Sequence, residues 1–119
     1  MSKIYRIECL DGITKIRVTN HPTFDEIRMI IDDIAKNYPY EKRLWDLSNA
    51  DFHFTINELH DIAEYGKAKF LKPNKMAIVS PNISVDIEMV IFEAYRTQKG
   101  HSKTRAFRTE SEAIEWINN

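Results

Sequence analysis

A single cysteine, Cys9, rules out an internal disulfide, so packing and hydrogen bonds must hold this fold, as in proteins of a reducing compartment. Glycine is scarce as well. None of the three glycines sits in a Gly-rich loop after a strand, which excludes a phosphate loop, a dinucleotide fingerprint and a nucleophile elbow. No apolar run approaches the roughly 20 residues of a membrane helix, so no membrane span is expected. The amino-terminal MSKIYRIE lacks the apolar core of a secretory signal, and a cytoplasmic location follows as the expectation. Charge of one sign is missing too. A net charge of -1 from nearly equal acids and bases leaves no global field to attract nucleic acid. The bases that do cluster, Lys67 to Lys75 and Arg96 to Arg108, lack the interleaved aromatics of a single-strand binder and read as solvated surface.

What the chain does contain is a run of well-punctuated elements in 119 residues, the length of one domain, 1–119. Asp11-Gly12 between Lys3–Leu10 and Ile13–Thr19 signals a two-residue hairpin. Closing it sets Cys9 opposite Thr14, Ile7 opposite Ile16 and Tyr5 opposite Val18 on a core face. Glu8 meets Lys15 on the wet face, where Arg6 opposite Arg17 requires a nearby acid or solvation. Three capping boxes follow, Thr23 to Glu26, Thr55 to Glu58 and Thr109 to Glu112, each of which should open a helix. In the first helix Phe24, Ile27, Ile31, Ile34 and Tyr38 recur at helical spacing, with Asp32 and Lys36 as a surface pair. In the second, Phe54 and Leu59 form a hydrophobic staple, and Ile56, Leu59, Ile62, Ala63, Gly66 and Phe70 line the buried face. The last carries Ala113, Trp116 and Ile117 inward.

Lys42–Ser48, Lys75–Ser80 and Lys103–Phe107 read as strands, the middle one apolar on both faces like a central parallel strand. A helix from about Ser84 to Lys99 is too apolar for one stripe. Ile87, Val90, Ile91 and Ala94 make the expected core face, whereas Val85, Met89 and Phe92 make a second stripe for another element, a ligand or another chain. The order β-β-α-β-α-β-α-β-α defines an α/β protein with a single mixed, mostly parallel sheet, because strand-helix-strand units cross over right-handed into parallel pairing.

Little here suggests chemistry. His53, His60 and Asp61 fit no zinc spacing, and Cys9 is expected to point into the core as a small hydrophobe. Asp46 and Asp51, at a strand end and its turn, suit backbone capping better than acid/base work. No metal, cofactor or enzymatic activity is therefore expected.

At Asp46-Leu-Ser48, then Phe52, Thr55 and Leu59, the sequence resembles the STAS family, the anti-sigma-factor antagonists and related domains of anion transporters. The ending from Arg105 to Trp116 is similar to that family's last strand and helix. The resemblance implies a SpoIIAA-like fold, a non-catalytic regulatory role, and a partner docked on the turn from Ser48 to Thr55. Thr55 falls on the position that a partner kinase phosphorylates in the family. Phe54 stands where the family has aspartate, and Ile56-Asn57 where it has Ser-Gly, which brings the pattern closer to a divergent branch grouped with Sec14-type lipid-binding domains. Two readings result. In the first, a protein partner binds through Asp46, Ser48, Asp51, Phe52, Phe54 and Thr55, with Ser80 and Asn82 at the next strand end. In the second, Phe52, Phe54, Val85, Met89 and Phe92 line a site for a small apolar ligand or lipid, the last three being equally a homodimer face.

Overall fold

Asp11 and Gly12 take φ of 53° and 80°, the paired positive values that close a two-residue hairpin. In this computed structural model, which describes residues 4–51, 53–70, 74–81, 88–90, 92–93 and 103–119, that turn joins β1 (Tyr5–Leu10) to β2 (Ile13–Asn20). The register is the expected one: Cys9 pairs with Thr14, Ile7 with Ile16, Tyr5 with Val18 and Glu8 with Lys15. Arg6 does lie opposite Arg17, and the acid this conflict requires is Asp46, 3.1 Å from Arg17 Nε. Lys15 bonds Glu110 at 3.0 Å. Cys9 departs from expectation, because the packed cluster covers Tyr5 and Ile7 but stops short of the hairpin tip and leaves the thiol exposed.

The chain continues through α1 (Phe24–Asn37), β3 (Lys42–Ala50), α2 (Ile56–Lys69), β4 (Lys75–Val79), β5 (Lys103–Phe107) and a C-terminal helix (Glu110–Asn118). Between β4 and β5, Glu88 to Val90, Phe92 and Glu93 are helical; the rest of the helix expected there, with Val85, Ile87, Ile91 and Ala94, lies outside the described residues. Thr23 and Thr55 head complete capping boxes. Thr109 caps the last helix by accepting from the Glu112 N–H, but its own hydroxyl donates to the Glu112 carboxylate, so the reciprocal backbone bond is not made.

The strands lie in the order β1-β2-β3-β4-β5, with the first pair antiparallel and the other three parallel. Successive right-handed crossovers that all advance in one direction must place their helices on one face. That face carries α1, α2, Met89 and Phe92 over Ile16, Val18, Trp45, Leu47, Met76 and Ile78. The C-terminal helix feeds no further strand and covers the other face, laying Ala113 and Ile117 on Ile13, Leu44, Ala77 and Val79. Lys75 Nζ donates to the Trp116 carbonyl at 2.7 Å, supplying the positive charge that this helix lacks in its own last turn. The two helices on the first face are also tied together: Tyr65 donates to Asp32, which Lys69 approaches to 3.4 Å, in place of the expected pair with Lys36. Tyr5 donates to Asp33 at 2.7 Å, a bond that together with burial pushes the phenol up to about 12.

Gly12 is the position where backbone freedom is needed. A Cβ there would meet nothing within 4 Å, so Gly12→Ala is expected to cost only the left-handed backbone penalty, about 1 kcal/mol, as a lowered urea midpoint with unchanged slope.

Candidate functional site

The carboxyl end of β3 carries most of the residues singled out from sequence, and the strand runs two residues further than its composition suggests, to Ala50. Ser48 is thus in the strand, and only Asp51 to Thr55 forms the connection to α2, because an irregularity lengthens β3. Arg17 pairs with Asp46 and Thr19 with Asn49, so three residues of β3 span what two of β2 span. Such a bulge frees an N–H from the ladder. Asp46 Oδ1 accepts the Ser48 N–H at 3.0 Å while Oδ2 accepts from Arg17. The bulge also explains why Leu47 and Ala50, three apart, are both buried. Burial pushes the Asp46 carboxyl up, but its bonds with Ser48 and Arg17 outweigh this and hold it below the usual carboxylate range.

In the loop, Asp51 and Thr55 are exposed, Phe54 is half-buried, and Phe52 lies outside the described residues, as does Asn82 beyond β4. Ser80 is buried, its N–H bonded to the Phe107 carbonyl at 2.9 Å. His53 stands between two acids, Nε2 at 3.4 Å from Asp51 and Nδ1 at 3.7 Å from Glu88. Because opposite ring nitrogens face the two carboxylates, one ion cannot be held by all three residues. Among the described residues no group of three His, Cys, Asp or Glu could hold a metal ion. Burial raises the Glu88 carboxyl above its ordinary range, and the N–H of Phe54 and the charge of His53 only partly oppose this.

Two sequence expectations are corrected next to this loop. Ile56 is 55% exposed, not part of the buried face. Its spacing puts it on the side of Leu59 and Ala63, but as the first residue of α2 it lies one turn before the buried stripe of Leu59, Ile62, Ala63 and Gly66, at the exposed end of the helix. On the helix after β4 the described residues reverse the expectation, Met89 and Phe92 being buried in the core while Val90 is 60% exposed. Both stripes are apolar, and periodicity alone cannot say which one faces the sheet. Met89 and Phe92 are accordingly no surface for a second copy of the chain.

They instead line a cavity of about 60 Å³ between this helix, α1, α2 and the sheet. Trp45, Leu47 and Arg43 of β3 line it, as do Leu59, Ile62, Gly66 and Phe70 of α2 and Phe54 of the loop. At its far end Arg43, 1% exposed, donates to the Tyr40 carbonyl and to Asn74 Oδ1 at 3.0 and 2.8 Å. Its guanidinium lies 3.8 Å from the centre of the Phe70 ring, a stacked cation–π contact. Trp45 and Arg43 line this candidate site, although their place in the sequence marks them only as strand residues.

No protein-family model matches the chain, and no curated protein sequence does. Solved structures do match in fold. A Thermotoga maritima protein described as a putative anti-sigma factor antagonist superimposes with a TM-score of 0.66 at 17% identity, over 97% of this chain and 95% of its own. An uncharacterised Shewanella loihica protein with a SpoIIAA-like fold gives 0.60 at 14% identity, over 95% and 91%. The anti-sigma factor antagonist SpoIIAA in its unphosphorylated form gives 0.54 at 13%, over 97% and 98%. The chain therefore has the SpoIIAA-like, STAS-type fold that its motif order suggests.

Asp46 and Glu88 set opposite pH slopes. The depressed Asp46 contributes stability above its unfolded value near pH 4 that is lost as pH falls through the lower native value; the contribution of the raised Glu88 is present below roughly pH 4 and lost as pH rises through its native value. Urea unfolding at pH 7 should therefore find Asp46→Asn less stable than the parent and Glu88→Gln more stable, with both differences shrinking in acid. The opposite order at pH 7 would contradict these environments.

Proposed function

We propose that the protein is a non-catalytic regulatory module that docks a protein partner on the loop Asp51–Thr55 and the first turn of α2. The observation that carries this reading is the exposed Ile56, immediately after the Thr55 cap and beyond the end of a parallel strand, with Asp51 exposed on the loop that leads to it. An apolar anchor in an acidic setting suits a partner that offers an apolar pocket with a basic rim. The description of two structural neighbours as anti-sigma factor antagonists agrees with such a role.

Thr55 is the proposed switch point of this surface. Its hydroxyl accepts the Glu58 N–H at 3.1 Å while the Glu58 carboxylate accepts the Thr55 N–H at 2.9 Å. A phosphate there would gain the helix amino end but meet the Glu58 carboxylate, opening the capping box and displacing Ile56. Peptide mapping of protein from its own cells should find a phosphorylated fraction at Thr55; an unmodified residue in every growth condition removes the switch and leaves the docking.

Immobilised protein is expected to retain a specific partner from extracts of its own cells. Ile56→Asp should reduce retention at least tenfold, whereas Met29→Asp, an equally exposed apolar site on α1, should keep it. Equal retention by the two variants would overturn the docking site. Light scattering of the pure protein at several concentrations shows whether a second copy is the partner.

The apolar cavity favours a second reading, a module that takes a small apolar ligand or the end of a lipid chain between α2 and β3.

A further inference from the structure

β1 ends the sheet on one side, and among the described residues no strand covers its outer edge. Its pairing with β2 has no bulge, and Tyr5–Leu10 contains no proline, so two of the devices that keep an edge strand from adding another are missing. Backbone bonds alternate along an antiparallel strand. The Ile4 carbonyl accepts the Thr19 N–H at 2.8 Å, which turns the backbone groups of Ile4, Arg6, Glu8 and Leu10 toward β2 and those of Ile7 and Cys9 toward the open edge. The side chains of Arg6 and Glu8 are exposed on one face, and their neighbours on β2 are engaged elsewhere. Lys15, opposite Glu8, pairs with Glu110 at 3.0 Å, and Arg17, opposite Arg6, pairs with Asp46 at 3.1 Å. Charges of one sign would guard the edge against a second copy in every register. Here the two charges are opposite, and they stand symmetrically on either side of Ile7.

We propose that two copies of this chain pair antiparallel through β1 about a two-fold axis at Ile7, joining their two five-stranded sheets into one. With the axis there, the two Ile7 residues exchange backbone bonds, and Arg6 of each copy comes opposite Glu8 of the other. Those charged pairs fall at the positions between backbone bonds, where facing Cα atoms are about 4.5 Å apart, the closer of the two spacings in an antiparallel ladder. Leu10, 55% exposed on the same face, comes opposite Ile4 of the second copy. Moving the axis by one residue sets Arg6 against Arg6 or Glu8 against Glu8 at the centre of the interface, so charge selects one register. The interface uses no residue of the docking loop or of the cavity, and it goes beyond both readings above.

The test is analytical sedimentation of the full chain at low salt, over concentrations that extend into the millimolar range. The parent should form a dimer. Arg6→Glu and Glu8→Arg should each weaken it by about tenfold or more, because each change makes two attractive cross-strand pairs repulsive. Both substitutions fall on exposed side chains, where the fold tolerates them. An equimolar mixture of the two single variants should form a dimer again, since one then presents two acids where the other presents two bases. The double variant Arg6→Glu with Glu8→Arg should pair with itself as the parent does. In the parent, amide exchange at Ile7 and Cys9 should slow as concentration rises. A parent that stays monomeric throughout the series overturns the inference. So does a dimer that both single variants leave intact, or one that the mixture fails to restore.

Discussion

The whole arrangement depends on β3 being enclosed from both sides. A parallel strand exposes two faces, and each needs its own apolar cover. Here the covers come from different parts of the chain: α1, α2 and the helix containing Met89 and Phe92 lie over Trp45 and Leu47, while the C-terminal helix lies over Leu44. The monotonic strand order makes this division unavoidable. Crossovers of one hand advancing in one direction use up one face, and only an element after the last strand can reach the other. Asp46 on the second face is consequently enclosed, and a carboxylate so placed must be paired. Arg17 and the N–H freed by the bulge at Ser48 provide that pairing.

Much of this was legible before any coordinates, because it is written in local chemistry. Asp11-Gly12 fixes both the turn type and the register, so the hairpin partners follow from counting residues outward. The threonine–glutamate boxes at Thr23 and Thr55 place two helix starts to the residue. The Met76 to Val79 run, apolar on both faces, correctly marks a strand covered on both sides. Even the awkward pair Arg6 and Arg17 called for its own remedy, a nearby acid or solvation, and Asp46 on the neighbouring strand is that acid.

What escaped the sequence shares one cause: a pattern names a face but not what covers it. Cys9 lies on the core side of the hairpin, yet among the described residues no helix covers it. Ile56 continues an apolar list but sits a turn too early to reach the sheet. The helix after β4 is apolar around most of its circumference, so the choice between the Val90 side and the Met89 and Phe92 side is made by tertiary packing and not by period. The bulge in β3 was equally invisible, since Leu-Ser-Asn-Ala has no glycine or proline to announce it. It carried the strand past Ser48 to include Asn49 and Ala50. The cavity arises from residues distant in sequence, and no motif encodes such a juxtaposition.

The docking loop and the cavity are not independent features, because Phe54 belongs to both. Its ring forms part of the cavity wall, its backbone N–H is held by Glu88, and the next residue is the Thr55 that caps α2. Glu88 in turn precedes Met89, another wall residue, so a half-buried carboxylate ties the loop to the helix beside the cavity. The loop proposed for docking and the cavity thus share one residue, Phe54, and Ile56 lies two positions beyond it, after the Thr55 cap.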